Sequence, residues 1–113
     1  MGPIVSPDFS VSTRDLPDRH IVALRGELDL VTAEGLTDAL VEIAGSTLVV
    51  DLSDLTFMDS SGIGALVVAR RRIMSSGQGE LVLARPGANV RKVLDIVGLS
   101  DWIVEWSPDW DDE

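Results

Sequence analysis

The sequence contains no cysteine and one histidine, His20, among its 113 residues. Without cysteine the chain forms no disulfide and offers no thiolate to a metal ion or to redox chemistry. A single imidazole leaves no pair of histidines to hold a metal, and a Ser-His-Asp triad would depend on His20 alone. We expect no metal site, and, since no motif for nucleophilic catalysis or nucleotide binding is present, no cofactor and no catalytic residue. We interpret His20 as a partnered or exposed side chain at the start of a strand.

Cations are also scarce, because 9 Lys and Arg stand against 19 Asp and Glu, a formal net charge of −10 at pH 7. A nucleic-acid surface must neutralise phosphates with clustered cations, and an anionic membrane surface has the same requirement. No apolar run approaches the roughly 18–20 residues that span a bilayer, and the N-terminus has no signal-peptide pattern. The composition predicts a cytoplasmic protein that binds neither nucleic acid nor membranes.

Residues that build a core are present in ordinary amounts. Apolar residues make up 45% of the chain and charged residues 25%, which is typical of a globular domain, and the length fits one domain. Residues 1–8 contain two prolines and a glycine and are expected to form a loose arm. Residues 107–113 contain four acids and are expected to form a frayed or solvated tail. The predicted domain spans residues 9–106.

Apolar periodicity divides this domain into strands and helices. The predicted elements are strands over residues 9–13, 20–26, 47–52, 80–84 and 102–106 and helices over residues 32–44, 62–76 and 88–97. Thr32 is the expected N-cap of the first helix and Gly45 its C-cap. The order β-β-α-β-α-β-α-β predicts an α/β fold in which a leading antiparallel hairpin and parallel strands form a mixed sheet packed against helices.

Three tryptophans near the C-terminus allow two interpretations. Trp102, Trp106 and Trp110 are spaced by four residues, as in a helical stripe. The neighbouring Ile103, Val104 and Pro108 favour instead a strand followed by a tail. On that interpretation the tryptophans pack in the core and at the edge of the sheet.

The most informative segment follows the central strand. Residues 53–58 are predicted to form a loop, after which Asp59-Ser60-Ser61-Gly62 opens a helix. Loops at the carboxyl ends of strands commonly carry functional groups in such sheets, but Asp and Ser are also preferred helix N-caps, so capping alone explains this tetrapeptide. Gly62 and Gly64 each cost the helix roughly 1 kcal/mol relative to alanine, which indicates either close packing or a surface left open to a partner.

Residues 51–64 resemble the signature of the anti-sigma factor antagonist family, the bacterial members of the STAS domain. Family members carry D-L-S/E-x-L-x-F-M-D-S-S-G-L/I-G at this position, and this chain has DLSDLTFMDSSGIG. They also carry G-E-L-D after the second strand, matched here by residues 26–29. The resemblance extends from about residue 9 into the last strand and implies a mixed sheet backed by helices. Family members usually finish with a further helix, for which residues 107–113 leave little room.

The resemblance implies a phosphorylation switch at Ser60. In family members the first serine of D-S-S is phosphorylated by the partner anti-sigma factor, a serine kinase that uses ATP, and Ser61 is the fallback acceptor here. The unmodified form binds the anti-sigma factor and releases the sigma factor, the phosphorylated form does not bind, and a PPM-type phosphatase resets the switch. Independently of the resemblance, the small size and high net charge of the domain lead us to expect a monomer when free. The expected partner contacts are Glu27, Asp29, Asp59, Ser60, Ser61, Gly62 and Ile63.

Each of these assignments has an alternative. Glu27 and Asp29 are equally consistent with solvated strand-end residues, and Asp59 either orients Ser60 or only caps the helix. A different function is a STAS subunit of a larger transporter or stress-signalling assembly, with a structural or ligand-sensing role. A serine hydrolase is not expected, because the segment around Ser60 lacks the first glycine of the G-x-S-x-G elbow.

Overall fold

Within the described residues, a mixed six-stranded sheet in the order β1-β2-β3-β4-β5-β6 forms the centre of the computed structural model. The structure describes residues 5–6, 9–77 and 79–111. For residues 5 and 6 it describes the backbone only. The strands are β1 (Val5–Ser6), β2 (Phe9–Leu16), β3 (Arg19–Leu28), β4 (Thr47–Met58), β5 (Glu80–Ala84) and β6 (Ile103–Val104). The helices are α1 (Leu30–Ala33), α2 (Leu36–Ile43), α3 (Ser60–Ser75) and α4 (Ala88–Ile96), with 3₁₀ turns over Ser100–Trp102 and Pro108–Asp111.

Strand pairing is of the two expected kinds, antiparallel in the leading hairpin and parallel elsewhere. β2 and β3 form an antiparallel hairpin, paired from Phe9↔Gly26 to Leu16↔Arg19, whereas β3, β4, β5 and β6 are parallel neighbours joined by crossover connections. The expected α/β fold, with a leading hairpin and parallel strands in one mixed sheet, is confirmed. The strand β1 is not among the predicted strands. It lies within the segment 1–8, which is predicted to be a loose arm, and it pairs with β2. The rest of that segment lies outside the described residues.

The helices pack on one face of the sheet and bury the main core against it. β4 is buried over residues 48–52, as expected of a central strand with cover on both faces. The fully buried helix residues of this core include Leu36, Leu40, Leu66 and Ile73. Each such side chain stabilises the fold by roughly 1.5–3 kcal/mol, so packing more than helix propensity holds the helices in place.

The predicted first helix is two helices, α1 and α2. Gly35 lies between them with φ +84°, a left-handed conformation that interrupts the helix. Both expected caps are wrong. Asp29 caps α1 and Thr32 is the third residue of that helix, while the C-cap of α2 is Ala44 rather than Gly45.

The predicted loop over residues 53–58 is also wrong, because β4 continues through Met58. Leu55 and Met58 are buried and pair with β3, but the pairing contains register shifts. Because of these register shifts, buried and exposed residues do not alternate strictly in this part of β4. Such alternation is the pattern that identifies a strand from sequence. The helix α3 begins at Ser60, ahead of the predicted start at Gly62, because Asp59 is its N-cap.

The C-terminal segment packs on the opposite face of the sheet. The expectation of a frayed tail is wrong for residues 107–111, because Trp110 is only 9% exposed and joins a second apolar cluster, while Pro108, Asp109 and Asp111 are solvent-exposed. The ring of Trp106 meets Trp110 edge to face, with 5.1 Å between centroids. Trp102 packs against the main core, so the tryptophans lie in the core and at the sheet edge rather than in a helical stripe. Residues 112–113 lie outside the described residues.

One carboxylate is buried in the part of the chain that the structure describes. Asp51, 7% exposed, accepts hydrogen bonds from the Arg85 guanidinium at 2.7 and 3.3 Å and from the N–H of Ser53 at 3.0 Å. Burial alone would raise the pKa of Asp51, but the hydrogen bonds from Arg85 and Ser53, with the charge of Arg85, outweigh it and lower that pKa. Because Arg85 also lies 3.6 Å from the centroid of the Trp106 ring, the ion pair joins β4 to the C-terminal segment.

Candidate functional site

The candidate site lies where β3 and β4 end side by side. The strands are parallel, and their last residues, Leu28 and Met58, pair with each other. The backbone N–H of Asp59 then donates to the carbonyl oxygen of Leu28 at 3.2 Å, which holds the following turns together. Residues 26–29 and the segment beginning at Asp59 are therefore adjacent, although they are far apart in the sequence.

Asp59 is the N-cap of α3. Its Oδ1 accepts hydrogen bonds from the backbone N–H groups of Ser61 at 2.9 Å and Gly62 at 3.2 Å. Donors at a helix start have no partner within the helix, and a side chain that satisfies them typically stabilises a protein by about 1 kcal/mol. Of the two roles expected for Asp59, capping is the one that its hydrogen bonds show.

Ser60 is the first residue of α3, and it is exposed. Its hydroxyl makes no hydrogen bond to any residue that the structure describes, so its Oγ is accessible to a reagent from solvent. Ser61 is half-buried, and Ile63 is half-buried and packs against the main core. Exposure therefore favours Ser60 over Ser61 as the acceptor of a modification.

Asp29 holds the equivalent position at the end of β3, where it caps α1. Its Oδ1 accepts from the N–H groups of Val31 and Thr32, and its own N–H donates to the Thr32 hydroxyl at 2.8 Å, which completes a capping box. The hydrogen bond from the Thr32 N–H, supported by the Thr32 hydroxyl and the Val31 N–H, lowers the pKa of Asp29 against the opposing effect of desolvation. Glu27 is the exposed next-to-last residue of β3, and its backbone carbonyl accepts a hydrogen bond from the Thr32 hydroxyl at 2.9 Å. Acidic groups thus lie beside the start of α3.

The two glycines of α3 differ in their surroundings. A Cβ on Gly62 would lie 2.7 Å from Cγ of Leu28 and 2.9 Å from Cγ of Met58, so close packing against the strand ends requires glycine there. A Cβ on Gly64 would meet no atom within 4 Å among the described residues beyond its own helix. Glycine destabilises a helix by roughly 1 kcal/mol relative to alanine, and no close contact requires glycine at position 64. Close packing therefore accounts for Gly62, and an open surface for Gly64.

Sequence reasoning missed several exposed apolar side chains on the elements that form this site. Leu30 and Val31 in α1 are 73% and 76% exposed, and Phe57 and Val68 are exposed as well. The exposure of Leu30 and Val31 could have been inferred from their position directly after a capping aspartate, on a helical turn too short to bury them. A shallow groove of about 520 Å³ begins at Ser61 and runs along α3. Leu30 and Val68 both line this groove, and exposed apolar side chains that line one groove indicate a surface for protein interaction.

The described residues offer no set of ligands for an ion. No three His, Cys, Asp or Glu side chains among them are placed to hold a metal. None of the helices in these same residues has the length and apolar character needed to cross a membrane. The site therefore consists of an exposed hydroxyl, two capping carboxylates and a rim of exposed apolar side chains, which suits modification of the hydroxyl and contact with another protein.

A family model described as the STAS domain matches residues 10–112. The chain belongs to the STAS domain family. This STAS domain is 34% identical, over 89 residues, to the anti-sigma F factor antagonist of Lysinibacillus sphaericus, and the match covers 75% of each chain. The resemblance identified from residues 51–64 and 26–29 is confirmed.

Two solved structures of similar proteins share the fold. An anti-sigma factor antagonist from Mycobacterium paratuberculosis has a TM-score of 0.75 and 25% identity, with 92% of each chain covered. The Bacillus cell fate determinant SpoIIAA in its phosphorylated form has a TM-score of 0.65 and 25% identity, with 91% of this chain and 95% of that chain covered. The STAS domain described here therefore shares its architecture with an anti-sigma factor antagonist and with a phosphorylated protein.

Proposed function

We propose that this STAS domain is an anti-sigma factor antagonist whose binding is switched off by phosphorylation of Ser60. The observation that carries the proposal is the position of Ser60, an exposed hydroxyl at the start of α3, next to Ser61 at the end of a groove lined by the exposed side chains of Leu30 and Val68. The relative named as an anti-sigma F factor antagonist and the phosphorylated form of SpoIIAA support it. The function is binding rather than catalysis.

In the unmodified state, the anti-sigma factor covers the ends of β3 and β4 and the start of α3. Capture of the anti-sigma factor releases the sigma factor that it holds, so the domain acts on transcription without contacting DNA. Gly62 is buried and shapes this surface from beneath. The residues assigned to the contact are Glu27, Asp29, Asp59, Ser60, Ser61, Gly62 and Ile63.

The same partner is the kinase that phosphorylates Ser60. The Ser60 Oγ attacks the γ-phosphorus of ATP, the bond from that phosphorus to the β-γ bridging oxygen breaks, ADP leaves, and the hydroxyl proton passes to a base of the kinase. The product carries about −1.5 to −2 charges at neutral pH. Because the N–H groups of Ser61 and Gly62 already bind Asp59, they are not free to neutralise the phosphate. The modification adds uncompensated charge and bulk to the contact surface.

The size of this effect suffices for a switch. Asp29 and Asp59 place negative charge beside Ser60, and misplaced charge in a fitted interface costs several kcal/mol. A loss of about 3–4 kcal/mol weakens binding roughly 10²- to 10³-fold. A PPM-type phosphatase resets the switch by hydrolysing the phosphoserine. No unfolding of the domain is needed.

The alternative function, a STAS subunit of a larger transporter or stress-signalling assembly, has less support. The match to the Lysinibacillus antagonist covers 75% of that protein, so most of that relative is the domain itself. The proposed partner controls sigma factors, and this places the proposed site of action in the cytoplasm.

Phosphorylation in vitro tests the assignment of Ser60. Incubation with ATP and the purified anti-sigma factor kinase of the same organism is expected to add a single phosphate, measured by intact mass, to the wild type and to Ser61→Ala but none to Ser60→Ala. Ser61→Ala is the matched control, since it removes the neighbouring hydroxyl from the same helical turn. A phosphate that persists in Ser60→Ala, or a protein that the kinase does not modify, contradicts the proposal.

A further inference from the structure

A groove beside Ser60, here called the α2–α3 groove, extends along α3 between that helix and α1 and α2. Its volume is about 520 Å³, and its apolar walls are formed by Leu30, Ala33, Gly64, Ala65 and Val68. Leu30 is 73% exposed at its edge, and Val68 is exposed as well. Large apolar side chains left exposed around a groove indicate a surface that another protein covers.

Gly64 shows how closely an occupant can approach. Residues spaced by four share one face of a helix, so Ser60, Gly64, Val68 and Arg72 form a row along α3. Gly64 and Val68 are exposed, and a Cβ at Gly64 would meet no described residue beyond its own helix within 4 Å. The α3 backbone is therefore accessible in the middle of the groove, next to the phosphorylation site. Gly64 weakens the helix and makes no close contact that requires glycine. A partner that lies against this backbone accounts for it.

The charges on the groove walls indicate the chemistry of the occupant. Glu34 and Asp38 line the groove on the side of α1 and α2. Asp38 forms an ion pair with Arg72, with 2.9 Å between Oδ1 of Asp38 and Nη1 of Arg72. Glu34 has no cationic partner among the described residues. An occupant that brings a cation to Glu34 gains an ion pair, whereas an acidic occupant meets repulsion.

We propose that the α2–α3 groove receives an apolar side chain of the anti-sigma factor, flanked by a lysine or arginine that faces Glu34. The inference rests on the proposed function and adds a docking point beyond Ser60. The apolar side chain packs over Gly64 against Leu30 and Val68, while the cation pairs with Glu34. This second contact along α3 sets the orientation in which Ser60 enters the kinase site.

Filling the groove tests the proposal. Gly64→Gln places a long side chain over the groove and favours the helix, so the variant is expected to unfold at a higher urea concentration than the wild type. Its affinity for the purified anti-sigma factor kinase, measured by calorimetry, is expected to fall about tenfold or more. The matched control is Ser75→Gln, which makes the same side chain at an exposed position of α3 outside the groove and is expected to bind as the wild type does. Wild-type affinity in Gly64→Gln overturns the proposal.

Charge reversal tests the second half of the proposal. Glu34→Lys is expected to weaken binding about fivefold or more, with a loss that shrinks at high salt. Glu42→Lys makes the same change in net charge at an exposed position of α2 outside the groove, and is expected to change the affinity far less. Equal losses in the two variants would mean that only net charge matters, which contradicts a cation placed at Glu34.

Failure of this inference is distinguishable from failure of the proposed function. If the wild type binds the kinase and Ser60→Asp does not, while Gly64→Gln and Glu34→Lys bind normally, the switch stands and the groove is not a docking point. If the wild type itself does not bind the kinase, both are overturned.

Discussion

Asp29 and Asp59 hold equivalent positions at the ends of two neighbouring parallel strands. Each follows the last residue of its strand, and those last residues, Leu28 and Met58, pair with each other. Each carboxylate caps the helix that begins at the next residue. Two helix starts are thereby fixed side by side, and Ser60 lies on the first turn of the longer helix. The same local chemistry, repeated on adjacent strands, positions the exposed hydroxyl.

The first testable consequence concerns the Asp59 cap. Asp59→Ala leaves the N–H groups of Ser61 and Gly62 without their acceptor, and is expected to lower the free energy of unfolding by about 1 kcal/mol. Asn is an equally good N-cap, so Asp59→Asn is expected to retain most of that stability. Urea denaturation followed by circular dichroism measures both variants. Equal losses in the two would show that the cap hydrogen bonds do not stabilise the start of α3.

The two glycines of α3 are expected to respond oppositely to alanine. Gly62→Ala would place a Cβ 2.7 Å from Cγ of Leu28 and is expected to destabilise the fold by about 1–3 kcal/mol, as overpacking does. Gly64→Ala meets open space and is expected to stabilise the fold by up to about 1 kcal/mol. The same denaturation measurement compares them. Destabilisation by Gly64→Ala would contradict the open surface assigned to that position.

The architecture was predictable where local signals agreed with the final packing. The bounds predicted for β5 are those observed, because its short apolar run is followed within two residues by Pro86, which has no N–H to donate to a neighbouring strand. The predicted β4 ends too early, at Leu52, because its pairing with β3 is irregular beyond Ala23 and the alternation of buried and exposed residues fails there. The break at Gly35 depends on a positive φ that apolar periodicity does not record.

The candidate site was predictable in part. Ser60 and Asp59 stand in a recognisable motif, and the segment around Asp29 in another. The α2–α3 groove was not predictable, because it forms only when α1 and α2 pack beside α3. The sequence alone does not decide between close packing and an open surface at Gly64, since only the folded structure shows whether a Cβ would meet a neighbour.

Burial of Asp51 beside Arg85 predicts a dependence of stability on pH. The pKa of Asp51 is lowered in the folded state, so the ion pair stabilises the fold fully above the unfolded-state pKa of about 4 and loses this effect as the pH falls through the folded-state pKa. Asp51→Asn is expected to unfold more easily at pH 7 by about 1–3 kcal/mol. Its difference from the wild type is expected to shrink below about pH 4. Denaturation of both proteins from pH 7 to pH 3 measures it, and a constant difference would contradict the assignment.

The packing of Trp110 predicts that the C-terminal segment contributes to stability. Trp110 lies against Trp106, and the Arg19 guanidinium lies 5.0 Å from its ring centroid. Trp110→Ala is expected to lower the free energy of unfolding by about 3 kcal/mol. Asp109→Ala, at an exposed position of the same 3₁₀ turn, is the control and is expected to change it by less than about 0.5 kcal/mol. If both substitutions change the free energy of unfolding equally little, this segment does not stabilise the domain.

The most direct measurement compares the affinity of the purified anti-sigma factor for the unmodified protein and for the protein phosphorylated on Ser60. Calorimetry on the two homogeneous forms is expected to show tight binding by the unmodified protein and affinity at least about 10²-fold weaker after phosphorylation. Thermal unfolding of both forms is expected to show that the fold is intact in each. Equal affinities of the two forms would contradict the proposal that phosphorylation of Ser60 is the switch.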